Sequence, residues 1–463
     1  MTLLERSSSA RPAARSERPL KVLLTTDWWE PAVNGVVASV TTLRRQLEAL
    51  GCDVRVLTLA PGLRSSCEGK VYRLGSVSAS LFYASARIGT IHQRRILGAI
   101  KRWHPDVVHS NCEFTTHVWA RRIARDLDVP LVHTYHTIYE DYTHYYSPSR
   151  TMGRKAVAEF SRRLLERTDA VIAPTEKVAH LLEGYRVSRP VHVIPTGLDL
   201  GRFRPAQSSA EAADSAALRA SLGIGARQKV LLSVSRLAKE KNLDQVIRDV
   251  AAAEREDAVL VLVGDGPYRE HLEHLVADLG MEKRVRFAGA IDPHEVPRWY
   301  RMADLFVSAS RSETQGLTYI EALACGLPLL CRRDDSVAGV LVDGETGYAV
   351  EDSAEFGARL TSLLDDEIGI ERMSHRALQH ARRTCGAEAF GARVLEVYRT
   401  MHLERSRAAA ASTASTASSS ARGLAPALGA HLADSSAGAP GVEVPAPAAE
   451  SGPHGAASHL LNA

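Results

Sequence analysis

Residues 304–333 read DLFVSASRSETQGLTYIEALACGLPLLCRR. Apolar runs at 304–310 and 328–333 flank a stretch whose helical pattern begins near Leu317. Two short apolar strands that are joined through a helix form a βαβ unit, and repeated units of this kind build parallel sheets. The segment therefore predicts an α/β fold with functional loops at the carboxyl ends of parallel strands.

The same alternation of apolar runs and amphipathic stretches extends along the chain in both directions. One series of runs lies at 21–26, 53–59, 106–110, 130–136, 170–175 and 191–197, and a second at 229–236, 258–266 and 285–289. We predict two Rossmann-like domains that face each other across a cleft, because ligands bind at the carboxyl ends of strands in such sheets. A C-terminal amphipathic helix is expected to cross back and close the core.

Both ends of the chain have a different composition from the middle. Residues 406–463 are rich in Ala, Ser, Gly and Pro, so they lack the apolar area that would offset the entropy of ordering. The predicted units are a disordered N-terminus (1–19), an N-terminal Rossmann-like domain (20–203), a linker (204–217), a C-terminal Rossmann-like domain (218–385), a closing helix (386–404) and a disordered tail (405–463).

Composition excludes several classes of protein. The six cysteines show neither CxxC spacing nor the density of a disulfide-rich secreted scaffold, which favours a reducing cytoplasm. No apolar run approaches the ~18 residues that a membrane-spanning helix needs. The N-terminus has no apolar core of a secretory signal. No nucleic-acid partner is predicted.

Two carboxylates in the quoted segment are candidates for chemistry. Glu313 stays in the loop, whereas Glu321 lies about one turn inside the helix that begins at Leu317, so the two flank a helix N-terminus and should have different tasks. For Glu321, compensation of the helix dipole is the alternative explanation. Glu313 has no such structural explanation.

The segment SRLAKEKN at 235–242 places two cations beside another helix start. Arg236 ends the strand, Asn242 is expected to cap the next helix, and Lys241 lies just outside it. This combination suits a diphosphate, because both cations neutralise its charge while the helix end donates N–H groups. Two solvated surface charges are the alternative.

Two further positions could face the cleft. Gly35 follows the first strand and starts a helical pattern, where a glycine lets the backbone approach a ligand closely. His133 and His136 lie at a strand end and should point to opposite faces, and His136 is the better candidate for contacting a substrate. No metal-binding spacing accompanies the histidines, so no metal site is predicted.

Residues 84–190 carry 17 Lys and Arg against 11 Asp and Glu, which gives 17 − 11 = +6. Two predicted helices at 87–103 and 153–169 alternate basic with apolar residues and could lie on an anionic membrane; solvated basic faces are the alternative. Ile96, Leu97 and Phe160 would add depth of insertion. The predicted membrane-binding residues are Arg94, Arg95, Lys101, Arg102, Arg154, Lys155, Arg162 and Arg163.

Taken together, these motifs resemble family-four retaining glycosyltransferases of the GT-B fold over about residues 20–404. NGV, SRLAKEKN, VGDGPYRE and SETQGLTYIEALACGLP stand in the order found in the family. The resemblance implies that Gly35, Arg236 and Lys241 contact the donor diphosphate. It further implies that Glu321 holds the ribose, that Glu313 and the backbone of Gly316, Leu317 and Thr318 contact sugar and phosphate, and that His136 lies beside the reacting centre.

Within that family, HTYHTIYEDYTHYY, IAPTEKV and VIPTGLDL are similar to enzymes that transfer glucose from UDP-glucose to 1,2-diacylglycerol. The resemblance implies a nucleotide-sugar donor as substrate, no cofactor or metal, a lipid acceptor and an anionic membrane surface as partners. It also implies peripheral attachment to the inner, cytoplasmic face of the membrane. The alternatives are a soluble sugar or cyclitol acceptor, or a non-catalytic sugar-nucleotide-binding protein.

Overall fold

The computed structural model describes residues 18–32, 34–79, 87–90, 93–140 and 149–422. An eight-stranded sheet forms the N-terminal half and a six-stranded sheet forms the C-terminal half. This is the two-domain α/β architecture that the alternating apolar runs predict. The predicted disorder of residues 1–17 and 423–463 concerns segments outside the described residues.

The first sheet has the strand order β10-β9-β8-β7-β1-β2-β4-β3, and every neighbouring pair except β3 with β4 is parallel. A small antiparallel pair, β5 with β6, lies beside it. The strands are β1 (Lys21–Thr25), β2 (Asp53–Leu59), β3 (Ser66–Glu68), β4 (Val71–Leu74), β5 (Ser76–Ser78), β6 (Arg87–Gly89), β7 (Val107–Ser110), β8 (Leu131–Thr134), β9 (Ala170–Ala173) and β10 (Val191–Val193). The helices are α1 (Gly35–Ala49), α2 (Arg94–Trp103), α3 (Thr115–Leu127), α4 (Arg150–Leu165) and α5 (Glu176–Gly184).

The second sheet is wholly parallel, in the order β13-β12-β11-β14-β15-β16. Its strands are β11 (Lys229–Val234), β12 (Ala258–Val263), β13 (Val285–Gly289), β14 (Leu305–Ser308), β15 (Leu329–Arg332) and β16 (Gly347–Val350). The helices are α6 (Ser209–Ser221), α7 (Leu243–Ala252), α8 (Arg269–Asp278), α9 (Val296–Arg301), α10 (Leu317–Ala324), α11 (Ser353–Asp365), α12 (Glu367–Thr384) and α13 (Ala387–Arg422), and short 3-10 helices cover Lys239–Lys241 and Asp335–Val337.

Burial explains why these strands read as continuous apolar runs. All six residues of β12 are buried, because helices cover both faces of the sheet. The strand order reverses between β11 and β14, so the loops that follow these two strands diverge at the carboxyl edge. Ligands of doubly wound sheets bind at such a reversal. Both loops carry residues that the sequence singles out.

Helix α13 crosses back to the N-terminal half, as the amphipathic pattern predicts. Val394 and Tyr398 pack into the same apolar cluster as Val40 and Leu43 of α1. The helix was expected to end near residue 404, but it continues to Arg422. Alanine has the highest helix propensity and a formed helix extends without a new nucleation cost, so an Ala-rich segment can continue it. Residues 405–422 of the tail that was expected to be disordered therefore continue this helix.

Two other expectations about connecting segments need correction. Residues 204–217 are no plain linker, because Ser208 caps helix α6 and Arg204 forms an ion pair with Glu211 at 2.9 Å. Ser and Glu three residues apart match a capping box, a signal that the Pro- and Ala-rich composition obscured. At the other end, Arg18 forms hydrogen bonds of 2.6 and 2.8 Å to Asp106, so the last residues of the expected disordered N-terminus are anchored.

The basic stretch 87–103 is not one helix. Residues 87–89 form β6, and α2 begins only at Arg94. The Gln93 side chain donates hydrogen bonds to the carbonyl oxygens of Gly75 and Thr90, which ties the helix start to the β5-β6 pair. In the described part of the chain, no helix is long and apolar enough to cross a membrane.

Candidate functional site

The loop between β14 and α10 carries Glu313 and lies against the N-terminal half. The Gln315 side chain accepts a hydrogen bond from Thr196 N at 2.9 Å and donates one to Thr196 O at 3.0 Å. The Thr314 hydroxyl donates to the carbonyl oxygen of His136 at 2.8 Å. These bonds bring together residues more than a hundred positions apart, so the carboxyl edges of the two sheets face each other, as predicted.

Helix α10 begins at the point that the sequence predicts. Gly316 precedes it with φ +66°, and a Cβ at this position would lie 2.4 Å from the ring of Tyr319. Both the backbone angle and the close ring therefore require glycine. The first N–H groups of the helix, at Leu317 and Thr318, have no partner within the helix. A Cβ at Gly35 would lie 3.8 Å from Leu317, so the two predicted donor-binding segments meet.

The structure joins Lys241 and Glu313, to which the sequence analysis gives separate tasks. Lys241 Nζ lies 2.6 Å from Glu313 Oε1, and each side chain is 18% exposed. Ser310 donates a second hydrogen bond to the same oxygen at 2.9 Å. Burial acts to raise the pKa of Glu313, but Lys241 and these hydrogen bonds hold it below its usual value. Glu313 is therefore a carboxylate at neutral pH.

Arg236 lies at the end of β11, as predicted, with its guanidinium 34% exposed and paired with Glu240. The loop after β12 passes close to the backbone beside Arg236. This close approach requires glycine at Gly264, because a Cβ there would lie 1.9 Å from Ser235 O. The expected side-chain cap by Asn242 is wrong: the residue has φ +54° and its amide donates to Ala309 O at 3.1 Å. That bond ties the Lys241 segment to the strand before the Glu313 loop.

Glu321 lies inside α10, and its environment differs from that of Glu313. Tyr300 donates a hydrogen bond to Glu321 Oε2 at 2.8 Å. Burial raises the pKa of Glu321 to about 7, against the smaller opposing effects of the Tyr300 hydrogen bond and of Arg202. The two carboxyl groups near this helix start are thus shifted in opposite directions, which fits the expectation that they have different tasks.

The two histidines behave as the strand-end argument predicts. His133 is fully buried, whereas His136 is partly exposed and contacts Asn111 Oδ1 through Nε2 at 3.2 Å. Burial lowers the pKa of His136 to about 3, so its imidazole is neutral at physiological pH. It can accept or donate a hydrogen bond but cannot supply a positive charge. His144, the third histidine of the sequence HTYHTIYEDYTH, lies outside the described residues.

A buried polar cluster behind His136 was missed by the sequence analysis. The Ser110 hydroxyl donates to Cys112 O at 3.0 Å, so it accepts the Nδ1–H groups of His117 at 3.0 Å and of His133 at 3.1 Å. The Nε2 atoms of both rings then carry lone pairs. His133 Nε2 lies 3.6 Å from Glu113 Oε1, and two lone-pair atoms repel unless one carries a proton.

Below a pH of about 7, Glu113 is the group that holds this proton. Its carboxyl is buried, Oε2 accepts a hydrogen bond from Tyr139, and burial raises its pKa to about 7. The carboxyl of Asp27, half-buried and close to this cluster, has its pKa raised to about 6, chiefly by desolvation. No sequence signal identified these residues, because neither carboxylate lies in a spacing that marks a motif.

Replacement of Glu113 by Gln should flatten the pH dependence of stability. A folded pKa near 7, against a usual 4.5, gives wild type a stabilising contribution that is fully present below pH 4.5 and is lost as pH rises through 7. The shift corresponds to roughly 3 kcal/mol. Urea unfolding from pH 4.5 to 8 should show wild type losing about that much more than Glu113→Gln.

The exposed Glu256, whose side chain is 88% accessible, provides the matched control. Glu256→Gln should follow the wild-type pH profile. Parallel curves for wild type and Glu113→Gln would show that Glu113 is ionised in the folded protein throughout this range.

The predicted membrane-binding residues fall on two helices. On α4, Arg162 and Arg163 both pair with Glu159. On α2, Lys101 pairs with Asp126 at 2.7 Å, whereas Arg94 and Arg95 are exposed at the helix start. Arg154, also in this predicted set, forms an ion pair with Glu140 at 3.5 Å. Arg102 and Lys155 are exposed.

The apolar residues expected to deepen membrane insertion do not all face outward. Ile96 is only 4% exposed and packs in the core beside Ile100, so its expected insertion is wrong. Leu97 packs partly against the same core. Phe160 and Met152 of α4 are 43% and 71% exposed. Helix amphipathicity in α2 therefore serves the core of its own domain.

Comparison with known proteins agrees with this geometry. The family model "Glycosyl transferases group 1" matches residues 214–383, and "Glycosyltransferase Family 4" matches residues 33–202. The alpha-monoglucosyldiacylglycerol synthase of Streptococcus pneumoniae is 36% identical over 82% of this chain and 85% of its own length. A synthase of the same name from Acholeplasma laidlawii is 30% identical over 74% of this chain and 88% of its own length.

A solved structure agrees with the fold. Sucrose-phosphate synthase from Thermosynechococcus elongatus matches with a TM-score of 0.67 and 22% identity, over 83% of this chain and all of that one. At this identity the match speaks for the fold alone, which is the GT-B arrangement of two Rossmann-like domains. With relatives at 30% identity or more along most of their length, the chain belongs to the family-four glycosyltransferases.

Proposed function

We propose that this glycosyltransferase moves glucose from UDP-glucose to 1,2-diacylglycerol with retention of configuration, and so forms an α-linked membrane glycolipid. The similarity to the pneumococcal synthase supports the proposal, because it spans 85% of that relative. A soluble sugar or cyclitol acceptor remains the alternative within the same reaction class. A non-catalytic sugar-nucleotide-binding protein is the alternative outside it.

The cleft contains groups that suit departure of a nucleoside diphosphate. Negative charge develops on the β-phosphate as the bond to the sugar breaks. Arg236 and Lys241 supply positive charge near the strand ends, and the free N–H groups at Leu317 and Thr318 point out of a helix N-terminus. Gly35 leaves room for the diphosphate between the two domains.

The two carboxyl groups suit different parts of the donor. Glu313, ionised beside Lys241, can accept hydrogen bonds from sugar hydroxyls. Glu321, held by Tyr300, can bind the ribose hydroxyls. In this scheme the acceptor hydroxyl attacks the anomeric carbon on the face that the diphosphate leaves, and its proton passes to a departing phosphate oxygen. No protein base is required, and neutral His136 contributes hydrogen bonding only.

Incubation of the full-length protein with UDP-glucose and vesicles that contain 1,2-diacylglycerol tests the proposal. Mass spectrometry should show a lipid heavier by one hexose, and NMR of the product should show an α linkage. A parallel reaction with soluble inositol and hexose acceptors should give no product. Transfer to a soluble acceptor alone would favour the first alternative, and binding of UDP-glucose without transfer or hydrolysis would favour the second.

Lys241→Ala and Arg236→Ala should each reduce donor affinity and turnover about tenfold to a hundredfold. Each change removes a charge-assisted contact worth roughly 1.5–3 kcal/mol. The matched control is Lys239→Ala, two residues away and exposed, which should keep wild-type kinetics. Full activity of either site variant at limiting donor would contradict the diphosphate assignment.

Activity should persist in EDTA without added divalent cation. The described residues hold no group of three or more His, Cys, Asp and Glu that could bind a metal ion. Side-chain cations stand at the proposed diphosphate position instead. Glucose transfer measured with EDTA, and again with added magnesium or manganese, should differ little. Loss of activity in EDTA that is restored by either ion would contradict this prediction.

We also propose that the N-terminal domain binds anionic membrane at the inner face of the cytoplasmic membrane. Arg94 and Arg95 are exposed side by side, whereas the charge of Arg162 and Arg163 is partly offset by Glu159. Each basic residue near an anionic surface contributes about 1 kcal/mol, which decays over a Debye length of ~10 Å at 0.1 M salt. The α2 pair should therefore contribute more than the α4 pair.

Co-sedimentation with phosphatidylserine vesicles at low and high salt tests this ranking. Arg94→Glu with Arg95→Glu should weaken binding more than Arg162→Glu with Arg163→Glu, and high salt should weaken binding of wild type. Equal sedimentation of wild type and a variant with all four changes, or no sedimentation at all, would refute the membrane proposal.

A further inference from the structure

Lys177 occupies a position that local helix energetics does not explain. It is the second residue of α5, which Thr175 caps. A cation near a helix N-terminus opposes the macrodipole, so local stability favours an acidic residue here. The motif IAPTEKV contains this lysine, and the donor site described above makes no use of it.

The contacts of Lys177 lie in the other domain. Its Nζ is 2.6 Å from Asp334 Oδ1, 3.1 Å from the carbonyl oxygen of Arg311 and 3.3 Å from that of Glu313. An ammonium group has three protons, and these three acceptors can take one each. The side chains of Lys177 and Asp334 are only 17% and 15% exposed, so the pair is largely shielded from solvent.

These contacts fix the Glu313 residue at both ends. Its carbonyl oxygen accepts from Lys177 of the N-terminal domain, and its carboxylate accepts from Lys241 of the C-terminal domain. A neighbouring bond reinforces the arrangement, since Thr175 donates to Thr314 O at 2.8 Å. Separation of the two domains would break the contacts of Lys177 and Thr175 together.

We propose that Lys177 is a positioning residue that couples closure of the two domains to the placement of Glu313. The ion pair with Asp334 holds the domains together, and the two carbonyl contacts set the loop that carries the carboxylate. The consequence for turnover rests on the proposed function, whereas the consequence for domain closure does not. Loss of Lys177 should slow the chemical step more than it weakens donor binding.

Steady-state kinetics of Lys177→Met tests the positioning role. The change keeps much of the side-chain volume but removes all three donors. It should lower kcat about tenfold to a hundredfold and change KM for UDP-glucose less than about threefold. Lys177→Arg, which keeps charge and donors, should recover part of the loss. The matched control is Lys70→Met, which breaks a surface ion pair with Asp53 in the same domain and should leave kcat unchanged.

A charge swap separates positioning from a simple ion pair. Lys177→Asp combined with Asp334→Lys restores opposite charges across the boundary, but an aspartate cannot donate to the carbonyl oxygens of Arg311 and Glu313. The swapped protein should stay as slow as Lys177→Met. Recovery of kcat in the swapped protein would overturn the positioning role, and so would wild-type kcat in Lys177→Met. Thermal unfolding of each variant establishes that it is folded.

Small-angle X-ray scattering supplies a readout that does not depend on turnover. With saturating UDP, wild type should scatter as expected for the two domains in contact as in this structure, and Lys177→Met should scatter as a more open particle. If wild type forms no glucolipid but the scattering difference appears, the proposed function fails, and the coupling of Lys177 to domain closure stands. Identical scattering of wild type and Lys177→Met would overturn the coupling to domain closure.

Discussion

The loop from Ser310 to Gly316 is bonded from both halves of the chain, and the cleft takes its geometry from it. The Gln315 side-chain amide accepts a hydrogen bond from the backbone N–H of Thr196 and donates one to its carbonyl oxygen. One side chain thus makes the two hydrogen bonds that a residue of a neighbouring β-strand would make. Both groups are buried, so loss of either partner would leave the other without a hydrogen bond in a site where water is excluded. The relation between the domains is therefore specified by polar groups as well as by apolar packing.

The carboxyl groups of this cleft differ in their protonation at neutral pH. Lys241 keeps Glu313 ionised, whereas burial holds a proton on Glu321 over part of the neutral range. The Glu113 and His133 pair keeps a second proton in the buried cluster behind His136 at pH values below about 7. Arg236 and Lys241, which the proposed function assigns to the diphosphate, are each paired with a carboxylate, and the imidazoles of His133 and His136 nearby stay neutral. A site of this kind can stabilise developing negative charge without adding cations around the acceptor.

Local sequence patterns anticipated much of the architecture. Apolar runs marked the strands, and glycine at Gly316 marked the start of α10, because periodicity and backbone freedom are local properties. Composition was a poorer guide: an Ala-rich linker contained α6, and an Ala- and Ser-rich tail continued α13. The start of the basic stretch before α2 formed β6, which pairs with the preceding strand β5 and does not continue the helical pattern.

The candidate site was anticipated as a set of residues but not as a network. Lys241 and Glu313 are 72 positions apart, and Lys177 and Asp334 are 157 apart, so only the fold shows that they touch. Asn242 does not cap α7 with its side chain, because its amide donates a hydrogen bond to the carbonyl oxygen of Ala309 instead. No sequence pattern identifies Glu113 or Asp27 as unusual, since their raised pKa values result from desolvation in the folded protein.

The return of α13 to the N-terminal half has a consequence for building hybrid enzymes. Val394 and Tyr398 complete the apolar cluster around α1, and the hydroxyl of Tyr398 bonds to His109 Nδ1 at 2.5 Å within the first sheet. A chimera joined at a single point between the sheets would pair one parent's α1 with the other parent's closing helix. Exchange of the N-terminal domain between relatives therefore requires two crossover points, with residues 387–401 transferred together with that domain.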